Sequence, residues 1–547
     1  MISRHPSPDT QRLIDELAKP PRLWERWRPS AEKLHLLRQI GQRDEPAAIP
    51  GILKFALSHQ PATRTEAAKA IERLLQHVPL ADVPILDEML RGHYYGMDAL
   101  PWGRPLESLD LNRFAPLGKL SVPLLAVATC NWNGYVRQSA IEWLGRAQDV
   151  RALPFLVLRL NDWVPEVRAA AAAALAAWIR ADRAQEFATV LPLVARLEEK
   201  KRGSHAVFLA SVRTLLARDE CRNVLLACVA SPDIRVRRFA FGVAMEAPST
   251  ELVHLLERAL GDPDTSIRLW AAQAVSSRPP DRSLLGAIQL MEHDHLMPVR
   301  REALRWHLRQ SGDAREQALE VALLDPHPSM AAEARYYLSE SSPRDFAPFY
   351  RRALAVAEGR ALVGTLTGLG ETGGASDGVL LRPYLSHTSP RVRAAALRAF
   401  ARITPEAPAD LFLAALHDTS SRVSGTARRL FPKGRVLTAR PQIMEAYEQG
   451  VERHVRVNAF GLLTQVNRWD TLPLLLQALE HPDPRVARAA THHLERWFAD
   501  SSRYYVVPTQ AQLSAIHGAL DSYGQRLTSD RKRLLLFILK SLGEPPR

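Results

Sequence analysis

The sequence predicts an all-α fold, a right-handed α-solenoid (α-α superhelix) of about fifteen stacked helix pairs. Three observations predict it. A short signature recurs along the chain, its copies keep a constant spacing, and apolar residues at helical intervals flank each copy.

The signature is a turn containing Asp, Asn or Pro, then an aliphatic residue, Arg, two variable residues and Ala. It runs from Val136-Arg137 to Ala140, Val167-Arg168 to Ala171, Val236-Arg237 to Ala240, Ile267-Arg268 to Ala271 and Val299-Arg300 to Ala303. Further copies start at Val392-Arg393 and Val455-Arg456, with degenerate ones at Met330, Val423 and Val486. Its second position steps through 137, 168, 237, 268, 300, 331, 393, 424, 456 and 487, so adjacent copies lie 31 or 32 residues apart. The step from 331 to 393 is a double period, with Ala361-Leu362 to Thr365 as the missing copy. Two surpluses break the rhythm, one near 91–119 and a charged one near 198–204.

A unit this short cannot bury a face alone, so each must lean on its neighbours. Counting the aliphatic residue as zero, positions zero, four, seven and eight share one side of a helix, which is helix B. Leu153 to Leu160, Leu252 to Leu260 and Leu472 to Leu479 are examples of the preceding helix A. Turns such as Asp262-Pro263-Asp264 and His481-Pro482-Asp483-Pro484 supply N-cap oxygens and helix-starting prolines. Residues 1–30 read as an irregular N-terminal cap, 31–547 as a continuous solenoid, and Leu513 to Leu542 as its terminal helix pair.

Leu144-Gly145 through Asp149, Ala152-Leu153-Pro154, Asn161-Asp162 and Pro165-Glu166-Val167-Arg168 resemble the PBS-lyase HEAT-like repeat, the short variety of HEAT repeat. The resemblance covers nearly the whole chain from about residue 31 and implies a HEAT/armadillo-like superhelix. It implies little about activity, because that family holds scaffolds, adaptors, lyases and regulatory subunits.

The composition belongs to a well-packed protein, with 46% hydrophobic residues and 27 glycines. No stretch is apolar enough to span a membrane and the first ten residues carry no signal-peptide core, which predicts a cytoplasmic protein with no membrane role. Cys130, Cys221 and Cys228 match no disulfide framework or zinc pattern and read as buried thiols. The formal charge of +13 raises an acidic protein or a nucleic acid as partner.

Gly368-Leu369-Gly370-Glu371-Thr372-Gly373 spells a dinucleotide-type motif, but it follows a helix B where sister repeats have Leu144-Gly145 and reads as a repeat turn. The absence of any His-Glu dyad excludes the HEAT-type hydroxylases. His293-Asp294-His295 and His492-His493 do not make a metal site, and Trp143, Trp306 and Trp497 fall on or near the inward stripe, where core packing is expected. No catalytic residue, metal or cofactor is expected. The signature arginines read as structural, bonding the aspartate and carbonyls of neighbouring turns.

Positions two and six of helix B point away from the core. From mid-chain they include Arg238, Arg301, Arg305, Tyr336, Arg398, Arg429, Arg488 and His492, a basic stripe that would line the concave face and focus its field on an acidic ligand. The period-breaking insertion offers His93, Tyr94, Tyr95 and Trp102 as aromatic anchors. These features predict a non-catalytic scaffold or adaptor that engages an acidic or elongated protein partner. Nucleic-acid binding is the alternative, with a DNA glycosylase or lyase behind it.

Overall fold

The computed structural model describes residues 2–19, 31–92, 105–200, 205–246, 252–279, 281–310, 312–340, 343–500 and 506–543. All regular structure among them is helical. The chain divides into two compact units, Met1–Val299 and Arg300–Arg547, and each is built from helix pairs.

The packing follows the repeat. The aliphatic residue and the alanine of every signature copy are buried, from Val136 and Ala140 in the first unit to Val486 and Ala490 in the second, none more than 4% exposed. The missing copy lies in the Gly359–Thr372 helix, where Thr365 is buried at the alanine position and Leu362 at the arginine position, while Ala361 at the aliphatic position is half-buried. Caps fall at the expected turns. The Asp264 carboxylate accepts from the backbone N–H groups of Ser266 and Ile267, and Asp483 accepts from that of Arg485, ahead of Pro484 at the helix start. Each cap satisfies backbone donors that a helix cannot pair internally.

Glycine marks where consecutive B helices meet most closely. A Cβ on Gly145 would lie 3.0 Å from Ala174, and one on Gly370 2.6 Å from the backbone of Ala399. The shared spacing makes Gly145 and Gly370 equivalent residues in their repeats. Gly368-Leu369-Gly370-Glu371-Thr372-Gly373 is therefore no phosphate-binding loop. It differs from the expected turn as well, because Gly368 to Thr372 are the last residues of a helix that Gly373 terminates. Helical packing between neighbouring repeats, with Gly368 beneath the Tyr350 ring, is what its glycines serve.

Two expectations need correction. The N-terminal segment is not wholly irregular, since Pro8–Ala18 is a regular helix with Ser7 capping Thr10 and with Ile14 and Leu17 buried. Of the three tryptophans on the inward stripe, Trp306 and Trp497 are buried, but Trp143 is only half-buried. In the 91–119 insertion, Ser108–Leu120 forms short 3-10 turns interrupted at Gly118, whose φ of 56° is the left-handed conformation that favours glycine. Leu513 to Leu542 falls within two helices, Gln510–Tyr523 and Ser529–Gly543, as expected. None of the helices among the described residues is long and apolar enough to cross a membrane.

Candidate functional site

The signature arginines form a ladder of clips. Arg137 donates Nε and Nη2 to the two oxygens of Asp162 at 3.0 and 2.7 Å, and Nη1 to the carbonyls of Asn131 and Trp132 at 3.0 and 2.8 Å. Arg237 repeats this with Asp262, Arg268 with Asp294, Arg300 with Asp325 and Arg393 with Asp418. Arg456 reaches Asp483 through a single contact at 3.3 Å.

The aspartates are also turn-makers. Asp162 accepts from the Val164 N–H, Asp325 from that of His327 and Asp418 from that of Ser420. One guanidinium thus joins its own turn to the turn of the next repeat, with the bidentate geometry that favours arginine over lysine. Among the described residues Arg168 holds only the Asp162 and Trp163 carbonyls, and the sequence from 183 to 218 contains no aspartate to meet it. For Arg137, Arg237, Arg268, Arg300 and Arg393 the structural reading is correct, and an aspartate already balances the charge.

The ladder is most deeply buried at Arg137 and Asp162, whose side chains are 0% and 1% exposed. Arg159 joins Asp162 at 3.1 Å and Asp87 at 2.7 Å, and Arg91 stacks beside Arg137 on Trp163. Burial alone would raise the Asp162 pKa, but hydrogen bonds from Arg137 and the Val164 N–H, with the nearby Arg159 charge, hold it below the usual carboxylate range. Cys130 behaves oppositely. Burial, then the Asp87 charge, pushes its thiol up to about 12, so it is neutral and a poor nucleophile. All three cysteines are free and buried.

These depressed carboxylates set an acid limit on stability. Asp264 is lowered chiefly by Arg238 and Asp377 chiefly by Arg351, and Asp162 behaves likewise. With folded-state pKa values below the unfolded ones, the unfolded chain binds more protons as pH falls. Their contribution is complete above about pH 4–5 and is lost as pH drops through the folded values. Thermal midpoints should therefore fall steeply between pH 5 and pH 3, within about two pH units of the carboxylate range, and the Asp264→Asn variant should show a shallower fall. An equal slope in that variant would refute the assignment.

The predicted stripe is accessible but uneven. Arg238 is engaged by Asp264 at 2.8 and 3.1 Å, Arg301 by Glu333 at 2.7 Å and Arg305 by Glu302 at 2.7 Å. Those three are neutralised locally, which corrects the view of a uniformly basic stripe. Tyr336 is exposed with its ring edge-on to Tyr337, and His492 is exposed beside His493. Arg398, Arg429 and Arg488 are exposed and have no acidic partner among the described residues. Arg422, which the stripe did not include, joins them. Arg398 reaches solvent, yet enough protein surrounds its guanidinium that burial, then the charges of Arg429 and Arg422, lower its pKa. This is an uncompensated cationic cluster. His93, Tyr94, Tyr95 and Trp102 lie outside the described residues.

Beside the cluster opens a cavity of about 1130 Å³ in the second unit. Phe431, Leu475 and Trp497 contribute apolar wall, and Arg428, Arg429, Lys433 and Arg496 contribute charge. His493 also lines it, half-buried; burial, then the charges of His492, Arg428 and Arg496, lower its pKa and favour the neutral ring. The stripe reading missed this cavity. Its one signal in the sequence is Gly461, which stands at position six of its helix B, where sister repeats carry Arg398, Arg429 or His492. The Arg428 guanidinium occupies the space its missing side chain leaves.

Comparison with known proteins gives a match of residues 121–202 to the family described as HEAT repeats. No curated protein matches the chain. Among solved structures, one of Kap95p and RanGDP, concerning nuclear import complex assembly, is 12% identical at a TM-score of 0.30, covering 97% of this chain and 77% of that one. The S. pombe condensin Cnd3–Cnd2 subcomplex is 14% identical at 0.33, covering 98% and 84%. The Pds5–Scc1 complex is 11% identical at 0.25, covering 94% and 97%. These likenesses concern fold alone. Residues 121–202 match HEAT repeats, and helix pairs outside that span carry the same arginine clip, at Arg237, Arg268, Arg300 and Arg393.

Proposed function

We propose that this protein is a non-catalytic binding scaffold or adaptor whose second unit engages an acidic segment of a protein partner. The observation that carries this reading is the cluster of Arg398, Arg422 and Arg429, with Arg488 along the same stripe, all exposed and with no acidic partner among the described residues. Like charges held together raise the free energy of the unbound surface, and an acidic segment relieves that repulsion on binding. The fixed helices present the cations without a large ordering cost. The concave placement of the stripe and a cytoplasmic setting belong to the same proposal.

The test is fluorescence anisotropy with a labelled twenty-residue Glu/Asp-rich peptide at fixed salt. Arg398→Glu with Arg488→Glu is expected to keep the helical circular dichroism and weaken peptide binding by about tenfold or more, equivalent to about 1.4 kcal/mol. Arg429 is left in place because it also lines the cavity. Unchanged affinity would mean that the stripe is merely solvated. A labelled oligonucleotide serves as comparison. If it binds tightly with a steep salt dependence while the peptide does not, the partner is nucleic acid and the proposal fails.

A further inference from the structure

The cavity bounded by Arg428, Arg429, Lys433 and Arg496 differs from the rest of the basic surface in how its cations are held. In the clips an aspartate orients the guanidinium and cancels its charge, as Asp418 does for Arg393. Here Arg429 is steadied by the Gly425 carbonyl at 3.2 Å and the Thr426 hydroxyl at 3.3 Å, and Arg428 lies over Gly461. Neutral contacts fix the position and leave the charge intact. None of the four has an acidic partner among the described residues. Asp500, the one carboxylate in the lining, is already engaged.

The walls narrow the ligand chemistry. Trp469 and Trp497 are 3% and 6% exposed, and the Arg468 guanidinium covers Trp497 with its centre 3.9 Å from the ring. Arg468 is itself tied to the Asp500 and Trp497 carbonyls, at 3.1 Å each. Neither tryptophan offers a free face for a base to stack on. What remains is a pocket of ligand size ringed by four uncompensated cations, three of them guanidiniums whose planar donors match phosphoryl oxygens. Thr464, Gln465 and Asn467 add neutral polar groups. A lone carboxylate would leave most of this charge unbalanced, whereas a compact ligand with several phosphoryl charges would balance it.

From this we infer that the cavity is a binding site for a small ligand carrying two or more phosphoryl groups, recognised by Arg428, Arg429, Lys433 and Arg496. This site goes beyond the peptide-binding reading and does not depend on it. The ligand fills a pocket, while the partner lies along the exposed stripe.

Titration calorimetry of the full chain with sodium tripolyphosphate at about physiological ionic strength tests the inference, with orthophosphate and citrate as comparison anions. Saturable tripolyphosphate binding is expected, at least tenfold tighter than either comparison anion. Arg428→Gln with Arg496→Gln should weaken it at least tenfold, and the stripe variant Arg398→Glu with Arg488→Glu should weaken it by less than threefold. Should the first pair compromise folding, Lys433→Gln alters an exposed side chain only and should still lower affinity at least threefold. Absence of saturable binding, equal affinity for citrate, or full affinity in the folded cavity variants would overturn the inference. The peptide assay fails or succeeds separately, so the two readings cannot be confused.

Discussion

Replacing Asp162 by alanine is expected to destabilise its unit by about 3–5 kcal/mol, the usual cost of breaking a buried ion pair from one side. Its carboxylate is 1% exposed and meets Arg137 at 2.7 Å, Arg159 at 3.1 Å and Arg91 at 3.5 Å. Removal leaves Arg137 uncompensated away from water, while Arg159 and Arg91 share Asp87 as the remaining anion. It also deprives the Val164 N–H of its acceptor. Urea unfolding followed by circular dichroism reads the effect as an earlier transition. Glu333→Ala is the control, since it breaks a pair with the 40% exposed Arg301, where solvent screening limits the loss to about 0–1 kcal/mol. Similar losses in both variants would show that burial does not set the strength of the clips.

The second large effect belongs to Gly368→Ala, expected to cost about 1–3 kcal/mol through overpacking. The new methyl group would collide with the ring of Tyr350. That ring has little freedom to yield, being fully buried with its hydroxyl donating to the Leu323 carbonyl at 3.2 Å and accepting from Arg335 at 3.1 Å. Gly374→Ala, six residues on, has open space around its Cβ and should fall within about 0.5 kcal/mol of the parent. If both substitutions proved neutral, the glycines of this motif would not be packing residues.

Much of the fold was legible because its determinants are local. An aliphatic residue and an alanine four positions later define the buried stripe, Asp or Asn before it defines the cap, and the period repeats both. The role of the signature arginine could be read for the same reason, since its aspartate recurs at a near-constant offset of 25 to 27 residues. The functional surface was less legible. Whether Arg238 or Arg398 keeps its charge depends on what the adjoining repeat presents. Arg238 meets Asp264 26 residues on, and Arg301 meets Glu333 32 residues on, while Arg398 meets Arg429 instead. A single helix displays no such difference. The cavity was harder still, because Gly461 signals it only by lacking a side chain.

The clips also have a mechanical side. Each ties one turn to the next within its unit, so a pulling force on that unit is borne by a row of discrete latches rather than spread evenly. Within the first unit the row is interrupted after Arg168, which has carbonyl contacts but no aspartate. Stretching should therefore open that junction ahead of those latched by Arg137 or Arg237. Each repeat released would then lengthen the chain by about 100 Å, the extended span of roughly thirty residues.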